Sequence, residues 1–340
     1  MIHLYQRNIL KLSNLTKIEI YYLIKLAQHL KIQKKNNIEK QYLKKKCIAL
    51  IFDKASTRTR CSFEIAAYDQ GAKTTYLGPG DTHLGNKESI EDTAKFIGLV
   101  YDGIQYRGHN HNNIKMLAKY SGVPVWNGLT QKYHPTQLLA DLLTIIEFNP
   151  NQYDLSQITI SYIGDATNNI ASTIIEAATL IGFNLRIIAP KQYWPNKTFF
   201  NHHQNKIKKF NKLILCTDDI KNGVHKTDYI YTDVWISMGE LSNTFEKKIS
   251  LLKPYQVNQE IIEATKNPNV KVLHCLPSLH DNKTEIGHTI SKKYGLNNGI
   301  EITNDVFKSN EKYIFQQSEN RLHTIKSILV STLYKPEIYF

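Results

Sequence analysis

Ser56-Thr57-Arg58-Thr59-Arg60 stands between the apolar run Cys47-Ile48-Ala49-Leu50-Ile51-Phe52 and the segment Cys61-Ser62-Phe63-Glu64-Ile65-Ala66-Ala67-Tyr68. The first flank has the length of a buried strand. The second carries apolar residues at 63, 66 and 67 and then Tyr68, the spacing of one helix face. Three hydroxyls and two guanidinium groups therefore sit where a strand turns into a helix. A helix start presents unpaired N–H groups and the positive end of the dipole, which together hold an anion. Hydroxyl donors and Arg forks supply the further hydrogen bonds that phosphate oxygens accept. A lone Ser-Thr-Arg would read as an N-cap beside a surface arginine; this density of donors reads as an oxyanion site.

Outward from this stretch the chain alternates short strands with helices, the pattern of parallel sheets covered on both faces. Residues 8–46 read as a helical entry segment, with Thr16 and Glu19 as a capping box. Strands follow at 47–52, 73–77, 103–107 and 123–127, with helices at 59–70, 89–100, 111–120 and 136–148. Phe148-Asn149-Pro150-Asn151-Gln152 breaks the last of these and marks a domain junction. The second alternation has strands at 157–163, 184–189, 213–216, 228–231 and 270–273, with helices at 169–182, 243–252 and 258–265. Glu319 to Leu333 is a final helix carrying Arg321. The expected fold is α/β: two doubly wound parallel-sheet domains, 1–149 and 150–318, with segment 319–340 packing back on the first.

The polar motifs fall in one kind of place. Ser56–Arg60, Arg107, His134-Pro135-Thr136-Gln137, Gly164-Asp165-Ala166-Thr167-Asn168-Asn169, Asp233-Val234-Trp235-Ile236-Ser237-Met238-Gly239 and His274-Cys275-Leu276-Pro277 each lie just past a strand's carboxyl end. Open α/β sheets put ligands there. The expectation is an active-site cleft between the two domains, with an anion site on the first.

A length of 340 residues suits two domains, and 41% hydrophobic with 21% charged residues is an ordinary globular composition. No apolar run reaches the ~18 residues of a membrane span, and no signal-like core follows Met1, so a cytoplasmic protein is expected. Cys47, Cys61, Cys216 and Cys275 show no C-x-x-C spacing. The net charge of +13 suggests nucleic acid, yet only six of the 43 basic residues are arginine and the lysines are scattered. A non-catalytic basic nucleic-acid-binding protein is accordingly a remote alternative. Where so Lys-rich a chain still uses arginine, a planar fork is needed.

On Ser-Thr-Arg-Thr-Arg, His-Pro-Thr-Gln, Asp-x-x-x-Ser-Met-Gly and His-Cys-Leu-Pro, in that order and spacing, the chain resembles the ornithine carbamoyltransferases over essentially its whole length. The first two motifs are shared with aspartate carbamoyltransferases; the last two select ornithine. The resemblance implies transfer of a carbamoyl group from carbamoyl phosphate to L-ornithine, giving L-citrulline and phosphate. It implies no metal, no organic cofactor, no nucleic acid and no membrane, and a homotrimer or a higher assembly of trimers. An acceptor other than ornithine, putrescine or aspartate, is the alternative within the superfamily.

The same resemblance assigns residues. Ser56, Thr57, Arg58 and Thr59 bind phosphate, and Arg107 reaches phosphate and carbonyl oxygen. His134 and Thr59 point at the carbonyl and Gln137 at the amino group. His83, Pro135, Thr136, Cys275, Leu276 and Arg321 complete the carbamoyl phosphate site. Asn169, Asp233, Ser237 and Met238 hold ornithine, with Asn168 left as an alternative to Asn169. Arg107, His134 and Cys275 are the catalytic candidates, and Cys275 faces the ornithine amine with Asp233 rather than forming a covalent intermediate. His83 stands where the family usually has Gln, in a loop that commonly reaches a neighbouring subunit with Lys87. Thr167 stands where many bacterial relatives carry Arg.

Overall fold

The computed structural model describes residues 2–81, 87–149, 153–235 and 245–335. The chain divides into two compact units, Met1–Ile145 with Glu319–Phe340, and Ile146–Ser318.

The first unit begins with α1 (Lys17–Lys35), opened by the expected capping box: Glu19 N–H donates to Thr16 Oγ1 at 3.3 Å and Thr16 N–H returns to Glu19 Oε2 at 2.8 Å. Strands β1 (Cys47–Phe52), β2 (Lys73–Leu77), β3 (Gly103–Arg107) and β4 (Val125–Leu129) then alternate with α2 (Thr57–Asp69), α3 (Ile90–Val100), α4 (His111–Tyr120) and α5 (Pro135–Phe148). All neighbours pair in parallel, in the order β2-β1-β3-β4. Ala49, Ile51, Ile104, Tyr106 and Val125 pack on Ala94, Ile97, Ile114 and Leu117 from α3 and α4. Ile48 and Leu50, which alternate with them on β1, are buried as well, so the strand reads as an unbroken apolar run.

In this unit two elements start two residues away from expectation. Strand β4 begins at Val125 rather than 123: Pro124 has no N–H for the ladder and only its carbonyl takes part, accepting from Ile104 N–H at 2.9 Å. Helix α2 begins at Thr57, so Thr57, Arg58 and Thr59 are its first turn, and Ser56 caps it by accepting from Thr59 N–H at 3.4 Å.

The second unit holds β5 (Thr159–Ile163), α6 (Asn169–Ile181), β6 (Asn184–Ile188), α7 (Lys197–Ile207), β7 (Ile214–Thr217), α8 (Ile220–Val224), β8 (Tyr229–Thr232), α9 (Phe245–Leu252), α10 (Gln259–Ala264), β9 (Lys271–His274) and α11 (Glu285–Tyr294). The parallel order is β7-β6-β5-β8-β9. Helix α12 (Asn304–Leu333) gives this unit its residues up to Ser318, and Val306, Phe307 and Ile314 pack with Ile163, Ile188, Ile230 and Val272. Helices α7, α8, α11 and the first half of α12 lie outside the sequence expectation. Their Lys-, Asn- and His-rich composition blurs the apolar stripe, but caps start them: Asn196 accepts from Phe199 N–H at 3.1 Å and Thr284 from Gly287 N–H at 3.0 Å. Nothing from 304 to 333 is Gly or Pro, so α12 continues unbroken.

In each sheet the chain leaves one strand on one side and returns on the other. The reversal lies between β1 and β3 in the first unit and between β5 and β8 in the second. Loops diverge at such a point and leave a crevice for a ligand.

Candidate active site

At the first reversal stand the start of α2, after β1, and Arg107, the last residue of β3. Thr59 is wholly buried, and its Oγ1 accepts from Arg107 Nη1 at 3.1 Å and from Arg321 Nη2 at 2.6 Å. A hydroxyl has two acceptor sites and one proton. With both acceptors taken, Thr59 can only donate onward. Arg58 is half-buried on the same turn and Thr57 is exposed. Arg60 lies on another face: it donates to Glu64 at 2.9 Å and stacks on Tyr76, 3.8 Å from the ring centroid, which makes it structural.

His134 precedes α5, whose first residue Pro135 needs no N–H there. Burial, then the charges of Arg321 and Arg107, hold its imidazole well below the ordinary value. It is therefore neutral, with Nδ1 3.3 Å from Thr136 Oγ1. Gln137 donates Nε2–H to Asp141 Oδ1 at 2.8 Å, which fixes the amide so that Oε1 is left as a buried acceptor with no partner among the described residues. The described part of the first unit thus gathers cationic and hydroxyl donors around Thr59 and a neutral imidazole beside the two guanidiniums.

The second reversal carries acidic groups. Asp233 follows β8; its Oδ1 accepts from Val234 N–H at 2.8 Å and from the Cys275 thiol at 3.0 Å, and its Oδ2 from Asn168 Nδ2 at 3.3 Å. Burial raises the Asp233 carboxyl, while His274 and the Cys275 hydrogen bond pull it back. Asn168 is the N-cap of α6, accepting from Ala171 N–H at 2.9 Å, and Asn169 is the first helical residue. Thr167 folds back on Asp165, donating its hydroxyl at 2.6 Å. Ser237, Met238 and His83 lie outside the described residues.

One contributor has no precedent in the sequence reading. Glu301, fully buried, accepts from His274 Nε2 at 3.2 Å, Ser278 Oγ at 2.8 Å and Leu279 N–H at 2.6 Å. Burial alone would raise its carboxyl, but these bonds hold it below its ordinary value. His274 Nδ1 accepts from Leu276 N–H at 3.0 Å, so the ring proton is on Nε2, facing Glu301. That bond holds Leu276 in the left-handed region, at φ 54°, ahead of the cis Leu276–Pro277 peptide. An acidic residue between Ile300 and Ile302 in a short apolar run was the available sequence signal. Donor atoms of Asp233, His274 and Cys275 lie within 4.8 Å of one another, close enough for a metal ion. Both imidazole nitrogens are committed elsewhere, though, so His274 has no lone pair to offer while those bonds stand.

Two family models meet near the junction that separates the two units. The carbamoyl-P binding domain of the aspartate/ornithine carbamoyltransferases matches residues 7–147, and their Asp/Orn binding domain matches residues 156–332. The chain belongs to the aspartate/ornithine carbamoyltransferase family. It is 59% identical over 335 residues to the ornithine carbamoyltransferase of Buchnera aphidicola subsp. Acyrthosiphon pisum, covering 98% of this chain and 99% of that one. It is 51% identical to that of Blochmanniella floridana, covering 100% and 97%. Among solved structures, the ornithine carbamoyltransferase of Pyrococcus furiosus matches with a TM-score of 0.88 at 32% identity, covering 99% of this chain and 100% of that one. The anabolic enzyme of Campylobacter jejuni matches at 0.83 and 31%, covering 95% and 97%. Two doubly wound parallel sheets are thus the architecture of the family as well as of this chain.

Proposed function

We propose that this family member transfers the carbamoyl group of carbamoyl phosphate to the δ-amine of L-ornithine, releasing L-citrulline and phosphate. The observation that carries the choice of acceptor is the hydrogen bond of Cys275 to Asp233. A carboxylate and a thiol sharing one proton suit a substrate that arrives as an ammonium and must lose a proton. Aspartate would set a carboxylate against a carboxylate. The shared name of the relatives supports the same acceptor.

In this reading the phosphate rests on the first turn of α2, against Ser56, Thr57, Arg58 and Thr59, with Arg107 and Arg321 neutralising it. Arg107 and the neutral His134 take the carbonyl oxygen as it gains charge, the work of an oxyanion hole. The Gln137 oxygen accepts from the carbamoyl amino group. Asp233 and Asn169 hold ornithine; Asn168, already engaged as a cap, supports the choice of Asn169. An amine like lysine's has a free pKa of ~10.4, so only about 0.4% is neutral at pH 8. Asp233 and Cys275 favour its neutral form. Its lone pair attacks the carbonyl carbon, the bond to the phosphate oxygen breaks, and the amine's proton passes to the acceptor pair.

Exposed apolar side chains on α3, Phe96, Leu99 and Val100, support an oligomer, and the homotrimer is our choice. Work in the cytoplasm, on the step of arginine biosynthesis that consumes ornithine, completes the reading. The test is citrulline formation by purified protein from carbamoyl phosphate and ornithine. Turnover with aspartate or putrescine but not ornithine would overturn the assigned acceptor.

A further inference from the structure

Asn168 belongs to neither of the groups assigned above, yet every polar atom of its side chain is committed. Its Oδ1 accepts from Ala171 N–H at 2.9 Å, and its Nδ2 lies 2.8 Å from Tyr162 Oη and 3.3 Å from Asp233 Oδ2. Tyr162 is wholly buried in β5, and its hydroxyl is 2.9 Å from the Asp165 carbonyl oxygen. A carbonyl oxygen only accepts, so the phenol proton is spent there. The phenol oxygen can then only accept from Asn168, which forces the amide to present its NH2 toward Tyr162 and its oxygen toward the helix. The orientation is set twice over, and the second N–H is left facing Asp233. Asp165, the anchor of the arrangement, is itself held by a buried ion pair with Lys248 at 2.8 Å.

We infer that Asn168, locked by Tyr162, is a positioning residue that aims the Asp233 carboxylate at the amine of ornithine. The inference rests on the ornithine reading above. Asp233 Oδ1 is tied to Val234 and Cys275. Asn168 supplies the donor on Oδ2, and that contact keeps the plane of the carboxylate from turning about its own bond. Tyr162 acts one step further out, through the amide.

A helix cap alone would show the same contact with Ala171, and substitution separates the two roles. Serine caps a helix about as well as asparagine, but it has no amide to reach Tyr162 and Asp233 together. Asn168→Ser should raise the KM for ornithine about 10-fold or more, the loss expected for a hydrogen bond to a charged group. The KM for carbamoyl phosphate should stay within about twofold, and the melting temperature should hold. Tyr162→Phe should shift the ornithine KM in the same direction by a smaller factor. Asn168→Ala should lower the melting temperature as well, because the cap is lost. Wild-type turnover with both Asn168→Ser and Tyr162→Phe within twofold of it in ornithine KM overturns this inference alone. Equal losses for both substrates overturn it too, as a general distortion. A wild-type protein that makes no citrulline from ornithine overturns the underlying reading instead.

Discussion

Arg321 Nη2 donates to Thr59 Oγ1 at 2.6 Å, joining the last helix to the first turn of α2 across 262 positions of sequence. With Arg107 on the same oxygen, one methyl-bearing hydroxyl orders two guanidiniums that would otherwise repel each other.

Thr59→Val keeps the shape and removes that acceptor. A hydrogen bond to a charged group is worth ~1.5–3 kcal/mol. Loss of one such bond lowers kcat/KM by about 10- to 150-fold, at 1.36 kcal/mol per decade. Steady-state kinetics with varied carbamoyl phosphate measure it. A value within twofold of wild type would detach Thr59 from the site.

His134 is held neutral by burial and by Arg321 and Arg107. Its folded value lies below the ordinary 6.5, so the unfolded chain takes a proton first as the pH falls. Stability from this group is complete above about pH 6.5 and is lost on acidification toward the folded value. An NMR titration of the folded protein should show no His134 inflection near 6.5. An inflection there contradicts the arrangement.

Glu301→Gln keeps the volume and removes the charge that His274, Ser278 and Leu279 serve. The cost at pH 7 is about 1.5–3 kcal/mol, the value of a charged hydrogen bond. The wild-type carboxyl is depressed from an ordinary value of 4.5, so its contribution is complete above about pH 4.5 and disappears as pH falls through the folded value. Melting temperatures of both proteins across pH should therefore differ most near neutrality and converge in acid. A gap that stays constant into acid contradicts an ionised Glu301.

Gly98→Ala tests packing against propensity. In a free helix, alanine gains about 1 kcal/mol over glycine. In α3, however, an added Cβ would lie 1.7 Å from the Ser121 carbonyl oxygen, a backbone atom that cannot swing aside. Overpacking of this kind costs about 1–3 kcal/mol. A net drop in melting temperature is expected; a rise would mean that α3 and α4 separate freely.

Strands β1, β2 and β3 were legible to the residue, because Ile, Leu, Ala and Tyr runs of strand length end at polar turns. The groups now gathered around Thr59 were legible because they sit together in short motifs at strand ends. Glu301 and Tyr162 were not. Glu301 matters through His274, Ser278 and Leu279, 22 to 27 positions away, and Tyr162 through an amide whose rotation the sequence does not encode. Helices α7 and α11 escaped notice because lysine, asparagine and histidine can line the wet side of a helix without leaving a clean stripe on the dry side. The start of α2 was displaced by two residues because threonine and arginine read as turn chemistry until the cap at Ser56 is seen.

Each sheet has a single point of reversal, and the polar groups divide between them by charge: cations and hydroxyls at one, carboxylate and thiol at the other. Donor and acceptor chemistry are thereby modular. On the proposed reading, substitutions around β5 and β8 retune which amine is accepted, while the phosphate grip at the first turn of α2 is left alone.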